Sequence, residues 1–147
     1  MKTRKGFTLV ELLVILVIIG ILLSAMRSFM TTAEVVNVIS DLHTMKVATL
    51  MLQADSIDAK HAHNTNIVAE LSPYTSNPDK ITAPGSGYLF EVDNDNRWWV
   101  GFNLPDALKT KEVRDKLTTR ARSAGIYGSQ DSGDEYDGDD EAWMTAR

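Results

Sequence analysis

An apolar run over residues 7–26 constrains this chain more than any other feature of its sequence. The run is interrupted at only four positions, which are Thr8, Glu11, Gly20 and Ser24. A helix of about 20 residues is roughly 30 Å long, which matches the hydrocarbon core of a bilayer. The segment is therefore long enough to cross a membrane as a helix.

Three cations, Lys2, Arg4 and Lys5, precede the apolar run. Their position predicts that the N-terminus stays on the cytoplasmic side and that the rest of the chain lies outside. A secretory signal has a shorter apolar stretch followed by small residues, whereas Arg27 and Phe29 follow this one closely. Length and hydropathy alone leave an uncleaved signal anchor as an open alternative.

Glu11 is the residue that a simple anchor does not explain. A carboxylate within a membrane helix costs about 2.5–3.5 kcal/mol on insertion scales. Cleavage between Gly6 and Phe7 would create a free α-amino group four residues before Glu11. In subunits packed with an axial stagger, that amino group could neutralise Glu11 of a neighbour. The apolar helices could then leave the lipid and form a bundle.

Residues 5–13, KGFTLVELL, resemble the prepilin motif of the type IV pilin and type II secretion pseudopilin superfamily. The resemblance covers about the first thirty residues closely. It implies that a prepilin peptidase/methyltransferase cleaves after Gly6 and methylates the new N-terminal Phe7. It also implies that Glu11 is the carboxylate that directs filament assembly.

The resemblance further implies partners and a location. The partners are the peptidase, copies of the chain and other pilins in a helical filament, an inner-membrane assembly platform, and the lipid bilayer before assembly. The chain would be a single-pass protein of the inner membrane with its head outside the cytoplasm, and then part of a periplasmic or cell-surface filament. Many members have a proline in the second half of the apolar segment, whereas the first proline here is Pro73. Gly20 is therefore the weakest point of this helix, at a cost of about 1 kcal/mol relative to alanine.

The segment after Arg27 keeps a helical period and contains no proline or glycine before Ser72. Apolar residues recur there at steps of three and four, at Val35, Val38, Leu42, Met45 and Leu52. We therefore predict one helix over residues 7–59, apolar all round at first and amphipathic later. The predicted organisation is a leader (1–6), a long helix (7–60, with 7–26 as the membrane and filament core) and a small head (61–147). The resemblance implies an α+β fold with the lollipop shape of pilins. In this fold a long N-terminal helix packs on a small head that contains an antiparallel β-hairpin or sheet and a further helix.

The head contains a clear hairpin pattern. Apolar side chains alternate on both sides of a turn at residues 93–96, namely Tyr88, Phe90, Val92, Trp98, Val100 and Phe102. Trp99 points to the other face, where it is either exposed to a partner or buried under a loop. A short helical turn is expected at 67–71 and a loop at 72–87. A further helix is predicted over 106–124, with Asp106 as its N-cap.

Charge and composition exclude several functions. The net charge is -5, and removal of the three leader cations gives -5 - 3 = -8. An acidic body is not expected to bind nucleic acid nonspecifically. The chain has no cysteine, which excludes disulfides, thiolate zinc sites and cysteine nucleophiles. His61 and His63 lack a third metal ligand nearby, and a solvated helix end is the preferred interpretation.

An acidic segment over residues 128–141 contains seven acids and no cation. It allows three alternatives: a disordered tail, a tail folded back on the cationic helix, and a calcium site. The EF-hand spacing does not fit. The segment is loosely similar to the calcium loop that ends major pseudopilins. No cofactor is certain, and the first calcium ligands to test are Asp134, Asp137, Asp139 and Asp140.

Three classes of function remain, which are a filament subunit, a membrane anchor with a binding head, and an enzyme on a stalk. The sequence has no nucleophile elbow, phosphate loop or metalloprotease motif, so no enzyme is predicted. We predict a structural filament subunit and favour a type II secretion-type pseudopilin. The alternative is a type IV pilus pilin, or a minor pilin with an adhesive or DNA-binding head.

Overall fold

A computed structural model describes residues 7–56, 60–130 and 133–146. Its helices are α1 (Leu9–Asp55), α2 (Pro78–Thr82) and α3 (Lys111–Ala124), with 3₁₀ turns at Val68–Tyr74 and Asp106–Leu108. Its strands are β1 (Tyr88–Val92), β2 (Trp98–Asn103) and β3 (Glu141–Thr145). The chain is therefore α+β, with a long helix followed by a small sheet and a further helix, as predicted.

The head covers one face of the second half of α1. The buried residues of this helix are Thr31, Val35, Val38, Leu42, Met45, Ala48, Thr49 and Leu52. They include every position of the predicted apolar stripe, while every residue from 9 to 30 is exposed. The helix ends where the backbone N–H of Ser56 donates to the carbonyl of Leu52 at 2.9 Å. The predicted end at residue 59 lies outside the described residues.

The predicted hairpin is confirmed, and a third strand extends it. Strands β1 and β2 are antiparallel, with Tyr88 opposite Phe102 and Val92 opposite Trp98. Strand β3 pairs antiparallel with the other edge of β2, from Asn103–Glu141 to Trp99–Thr145. The sequence analysis missed β3 because a five-residue segment next to an acidic run has too short an alternation to indicate a strand.

Trp99 is buried, which is one of the two alternatives that the sequence left open. Its side chain is only 3% exposed, and its ring packs edge-on against Tyr127 with centroids 5.8 Å apart. The indole Nε1 donates to Asp93 at 2.9 Å. Trp99 therefore belongs to the packing on the second face of the sheet and is not a free contact residue.

Two predicted boundaries in the head are wrong. The predicted N-cap Asp106 opens only a 3₁₀ turn, and α3 begins at Lys111 after Thr110. The Thr110 hydroxyl accepts from the N–H of Val113 at 3.3 Å, so it satisfies a donor that the first turn leaves free. The predicted loop at 72–87 contains α2, which is capped by the side chain of Asn77.

The interpretation of His61 as part of a solvated helix end is also wrong. The His61 side chain is 7% exposed, and its Nδ1 lies 2.7 Å from a carboxylate oxygen of Glu70. Its ring packs edge-on against Trp98, with centroids 4.7 Å apart. His63 instead hydrogen-bonds through Nδ1 to the carbonyl of Asp93 at 2.9 Å. The two histidines therefore pin the chain after α1 to the hairpin through separate partners.

Gly101 allows β2 and β3 to pack closely. A Cβ added at Gly101 would lie 2.6 Å from Cζ3 of Trp143, on the neighbouring strand. We expect Gly101→Ala to destabilise the head by about 1–3 kcal/mol, because overpacking forces the indole to move. Thermal unfolding of the full chain in detergent, followed by near-UV circular dichroism, measures this. Gly20→Ala is the control, since nothing lies within 4 Å of a Cβ there; equal stability of the two variants would contradict the packing.

Asp93 organises the hairpin turn as a buried carboxylate. One oxygen accepts from the backbone N–H groups of Asp95 at 2.9 Å and Arg97 at 2.8 Å. The other accepts from the Arg97 guanidinium and the Trp99 indole, both at 2.9 Å. Burial opposes ionisation, but the hydrogen bonds from Trp99 and Arg97 and the Arg97 charge outweigh it, so the pKa of Asp93 is lowered.

This lowered pKa predicts a pH dependence of stability. A carboxyl group whose pKa is lower in the folded state stabilises the protein above its unfolded pKa of about 3.9. That contribution is lost as the pH falls through the folded pKa. We expect Asp93→Asn to be less stable than wild type at pH 7 and to lose less stability on acidification. Urea unfolding at pH 7 and at pH 3 measures both; equal losses in the two proteins would contradict the role of Asp93.

Candidate functional site

The N-terminal end of α1 is capped by Thr8. Its hydroxyl accepts from the backbone N–H of Glu11 at 3.3 Å, and its carbonyl accepts from the N–H of Leu12 at 3.2 Å. Thr8 and Glu11 have the spacing of a capping box, in which threonine is the N-cap and glutamate the third helical residue. The sequence analysis gave Thr8 no role, although this Thr-x-x-Glu spacing was the signal for one.

The Glu11 carboxylate has no partner within the described part of the chain. In a full capping box the backbone N–H of Thr8 would donate a hydrogen bond to the Glu11 carboxylate, and that bond is absent between these two residues. Glu11 also forms no ion pair with any residue that the structure describes. The partial positive charge of the helix N-terminus favours a carboxylate at this position. The geometry therefore presents an acid that is available to a group from outside the chain.

The apolar segment below the head is uncovered over its whole length. Its length and apolar composition allow α1 to cross a membrane, and none of its apolar segment is buried. Phe7 is 69% exposed and Leu9 is 81% exposed. A soluble monomer rarely exposes a contiguous apolar surface of this size. The exposed apolar helix fits insertion in a membrane.

The structure places two of the three predicted site residues. Phe7 and Glu11 lie at the same end of α1, on either side of the cap residue Thr8. Gly6 and the leader cations lie outside the described residues, so cleavage at Gly6 and methylation at Phe7 stay predictions. An α-amino group at Phe7 would add positive charge to the positive end of α1, which is unfavourable by about 0.3–1 kcal/mol. A carboxylate from another chain would relieve this cost.

The described part of the acidic segment folds back on α3. Asp140 forms ion pairs with Arg114 and, at 3.5 Å, with Lys109. Glu135 pairs with Arg122 at 3.2 Å. Of the three alternatives for this segment, the ion-paired tail is the one that the structure supports. Arg114 and Arg122 of α3 are therefore both paired with the acidic segment.

The predicted calcium ligands do not converge in this arrangement. No group of three His, Asp or Glu side chains in the described ranges is placed to hold a metal ion. Arg114 donates to the carbonyl of Gly138 at 3.2 Å as well as to the Asp140 carboxylate. Its guanidinium is thus paired with Asp140, one of the predicted calcium ligands. The calcium site stays a prediction, and the residues present do not fit it as they are arranged.

A substitution at Arg114 and the addition of calcium together test whether the Arg114 guanidinium or a calcium ion holds the acidic segment. We expect Arg114→Gln to lower the unfolding free energy by about 1–2 kcal/mol, because charge-assisted hydrogen bonds to a half-exposed carboxylate are lost. We also expect calcium to leave the melting temperature of the wild-type chain unchanged relative to EGTA. Differential scanning fluorimetry and isothermal titration measure both. A calcium-dependent rise in the melting temperature of wild type would instead establish the calcium site.

Comparison with known proteins gives a match at the N-terminus. Residues 1–26 match the family model described as the prokaryotic N-terminal methylation motif. This motif is the hallmark of the prepilin-type signal of type IV pilins and pseudopilins. It covers Gly6, Phe7 and Glu11 together with the apolar run and leaves the head unmatched. No curated protein and no solved structure matches the chain.

Proposed function

We propose that this chain, which begins with a prepilin-type signal, is the precursor of a structural subunit of a type IV pilus-like filament. It is inserted in the inner membrane with its head outside the cytoplasm. A prepilin peptidase cuts it after Gly6 and methylates Phe7. The mature chain then leaves the membrane through an assembly platform and polymerises with copies of itself and other pilins.

The observation that carries this proposal is the carboxylate of Glu11, which has no partner among the described residues and lies on an uncovered apolar helix. A membrane anchor needs the apolar surface but gains nothing from the acid, which costs about 2.5–3.5 kcal/mol on insertion scales. A subunit gains from both, because neighbouring helices replace the lipid and a neighbour's α-amino group neutralises the acid. The same features support a structural role for the chain.

Among filament types we favour a type II secretion-type pseudopilin. The chain has no cysteine, which separates it from pilins whose C-terminal loop is closed by a disulfide. Its acidic segment is loosely similar to the ending of major pseudopilins. The second candidate is a pilin or minor pilin of a type IV pilus. Electron microscopy of sheared native cells separates them, since long surface fibres made of this chain would contradict the pseudopilin assignment.

Coexpression of the full chain with a prepilin peptidase tests the proposal. We expect a faster-migrating product with active peptidase and none with a peptidase that lacks its catalytic aspartates. The inactive enzyme is the matched control, because it has the same fold and places the same amount of overexpressed protein in the membrane. A product of equal size in both cultures would contradict processing as a prepilin.

A further inference from the structure

Helix α3 contacts α1 directly beside the end of the apolar run. The Lys116 ammonium donates to the carbonyl of Ser28 at 2.8 Å and to the hydroxyl of Thr32 at 3.0 Å. The described residues of α1 before this contact are exposed, and burial by the head begins at Thr31. The turn of α3 around Lys116 is therefore at the end of the head that lies nearest the apolar run.

This contact lies at the depth of the lipid headgroups when residues 7–26 span a membrane. The headgroup layer is about 5–7 Å thick on each side of the hydrocarbon core. At 1.5 Å per residue, that thickness corresponds to about four residues of helix, so residues 27–30 lie within the layer. Because Lys116 binds the carbonyl of Ser28, its ammonium and the surrounding turn of α3 lie at the level of the lipid phosphates.

Two further cations lie close to this level. Arg27 follows the apolar run directly, is exposed, and forms no ion pair with any residue that the structure describes. Arg120 lies one turn beyond Lys116 on α3 and likewise has no ion pair within the described ranges. We call Arg27, Lys116 and Arg120 the basic cluster. Glu112, which pairs with Lys116 at 3.0 Å, leaves a net charge of 3 - 1 = +2 on a chain whose total is -5.

The other charged side chains of α3 are paired with acids or cations away from the basic cluster. These pairs are Lys111 with Asp115, Arg114 with Asp140, and Arg122 with Glu135. The unpaired positive charge of α3 is thus concentrated beside the end of the apolar run, whereas the acidic segment is bound further along the same helix.

Lipid phosphate is the partner that this position favours. Arginine and lysine form strong, charge-assisted hydrogen bonds to phosphate oxygens, and basic residues beside a membrane segment are attracted to anionic lipids. Insertion of residues 7–26 would hold the basic cluster among headgroups at a high effective concentration. A soluble anion or an acidic protein would have to compete with these phosphates.

We propose that the basic cluster is a docking surface for the phosphate groups of anionic lipids on the outer side of the membrane, so that the head of the unassembled chain lies on the bilayer through α3. The inference rests on the proposed function, because it requires that residues 7–26 span the membrane with the head outside. It adds a contact that the N-terminal motif does not include. Entry into a filament then breaks these phosphate contacts as well as withdrawing the apolar run from lipid.

Fluorescence quenching of the full chain in bilayer nanodiscs tests the docking. The chain has no cysteine, so Thr119→Cys carries a single bimane label three residues after Lys116, and spin-labelled lipid headgroups quench it. Thr44→Cys is the matched control. Both are exposed helical threonines whose hydroxyls donate to the carbonyl four residues earlier, but Thr44 lies roughly 27 Å along α1 from Met26.

We expect quenching at Thr119→Cys to rise with the fraction of phosphatidylglycerol in phosphatidylcholine, and quenching at Thr44→Cys to stay low. Equal quenching at the two positions, or quenching at Thr119→Cys that does not respond to phosphatidylglycerol, would overturn the proposal.

Substitution of Arg27 provides a second test that leaves the head intact, because Arg27 precedes the first buried residue of α1. In the labelled Thr119→Cys chain, we expect Arg27→Gln to need about five times more phosphatidylglycerol for half-maximal quenching, which is the effect of one cation beside an anionic surface. Lys46→Gln is the control, since Lys46 lies roughly 30 Å along α1 from Met26, and it should behave like wild type.

The outcomes separate this inference from the proposed function. If Arg27→Gln shows the same dependence on phosphatidylglycerol as wild type, the inference fails, and the proposed function stands as long as a prepilin peptidase still cuts the chain. If the chain does not insert into the nanodiscs at all, the membrane step of the proposed function fails together with the inference.

Discussion

Replacement of Glu11 by alanine is expected to leave cleavage intact and to block assembly. In the proposed filament the carboxylate of one subunit neutralises the α-amino group of the next within an apolar core. Its loss leaves that amino group buried and unpaired, at a cost of about 3–5 kcal/mol. At about 1.4 kcal/mol for each factor of ten, this lowers the yield of filaments by at least about a hundredfold.

The same substitution should stabilise the monomer in the membrane, because removal of the acid lowers the free-energy cost of insertion by about 2.5–3.5 kcal/mol. Processed Glu11→Ala is therefore expected in the membrane fraction and not in the sheared fraction, as followed by quantitative immunoblotting of both. Glu34→Ala is the control, since Glu34 is an exposed acid on the same helix beyond the apolar run. Normal assembly of Glu11→Ala would show that the ion-pair account is wrong.

Substitution of Gly6 by a bulky residue is expected to abolish cleavage. A peptidase that cuts after Gly6 must bring the backbone on both sides of the bond close to its catalytic groups, and a side chain at Gly6 obstructs this approach. We expect Gly6→Leu to keep its leader and Gly6→Ala to be cut, with gel mobility as the measurement. The uncut chain lacks an α-amino group at Phe7 and should fail to assemble even though Glu11 is present.

Gly6→Ala serves as the matched control for this variant, because it changes the same position by the smallest possible side chain. Cleavage of Gly6→Leu at the wild-type rate would place the processing site elsewhere. If Gly6→Leu is not cut and still forms filaments normally, assembly does not need a free N-terminus at Phe7, and that part of the account is wrong.

The parts of the fold with long, regular patterns could be predicted from the sequence. The stripe through Val35, Leu42 and Met45 repeats over several turns of α1, so its burial follows from helix geometry. The hairpin has alternating aromatic residues on both sides of a turn. Strand β3 could not be predicted, because its pairing with β2 is a long-range contact and its own pattern spans only five residues.

The candidate site was more predictable than the head because its chemistry is local. Gly6, Phe7 and Glu11 lie within six residues of one another, and the cost of a membrane carboxylate identifies Glu11 without any tertiary contact. The acidic segment left three alternatives open because its partner Arg114 is 26 residues away from Asp140. His61 was misjudged for the same reason, since Glu70 and Trp98 reach it only in the folded head.

Mass spectrometry of the N-terminal peptide from assembled material tests the central claim most directly. The protein is isolated from the sheared or detergent-resistant filament fraction of cells that have a prepilin peptidase. We predict a peptide that begins at Phe7 and carries one additional methyl group on its α-amino nitrogen. A peptide that retains residues 1–6, or one that begins beyond the apolar run, would contradict the account.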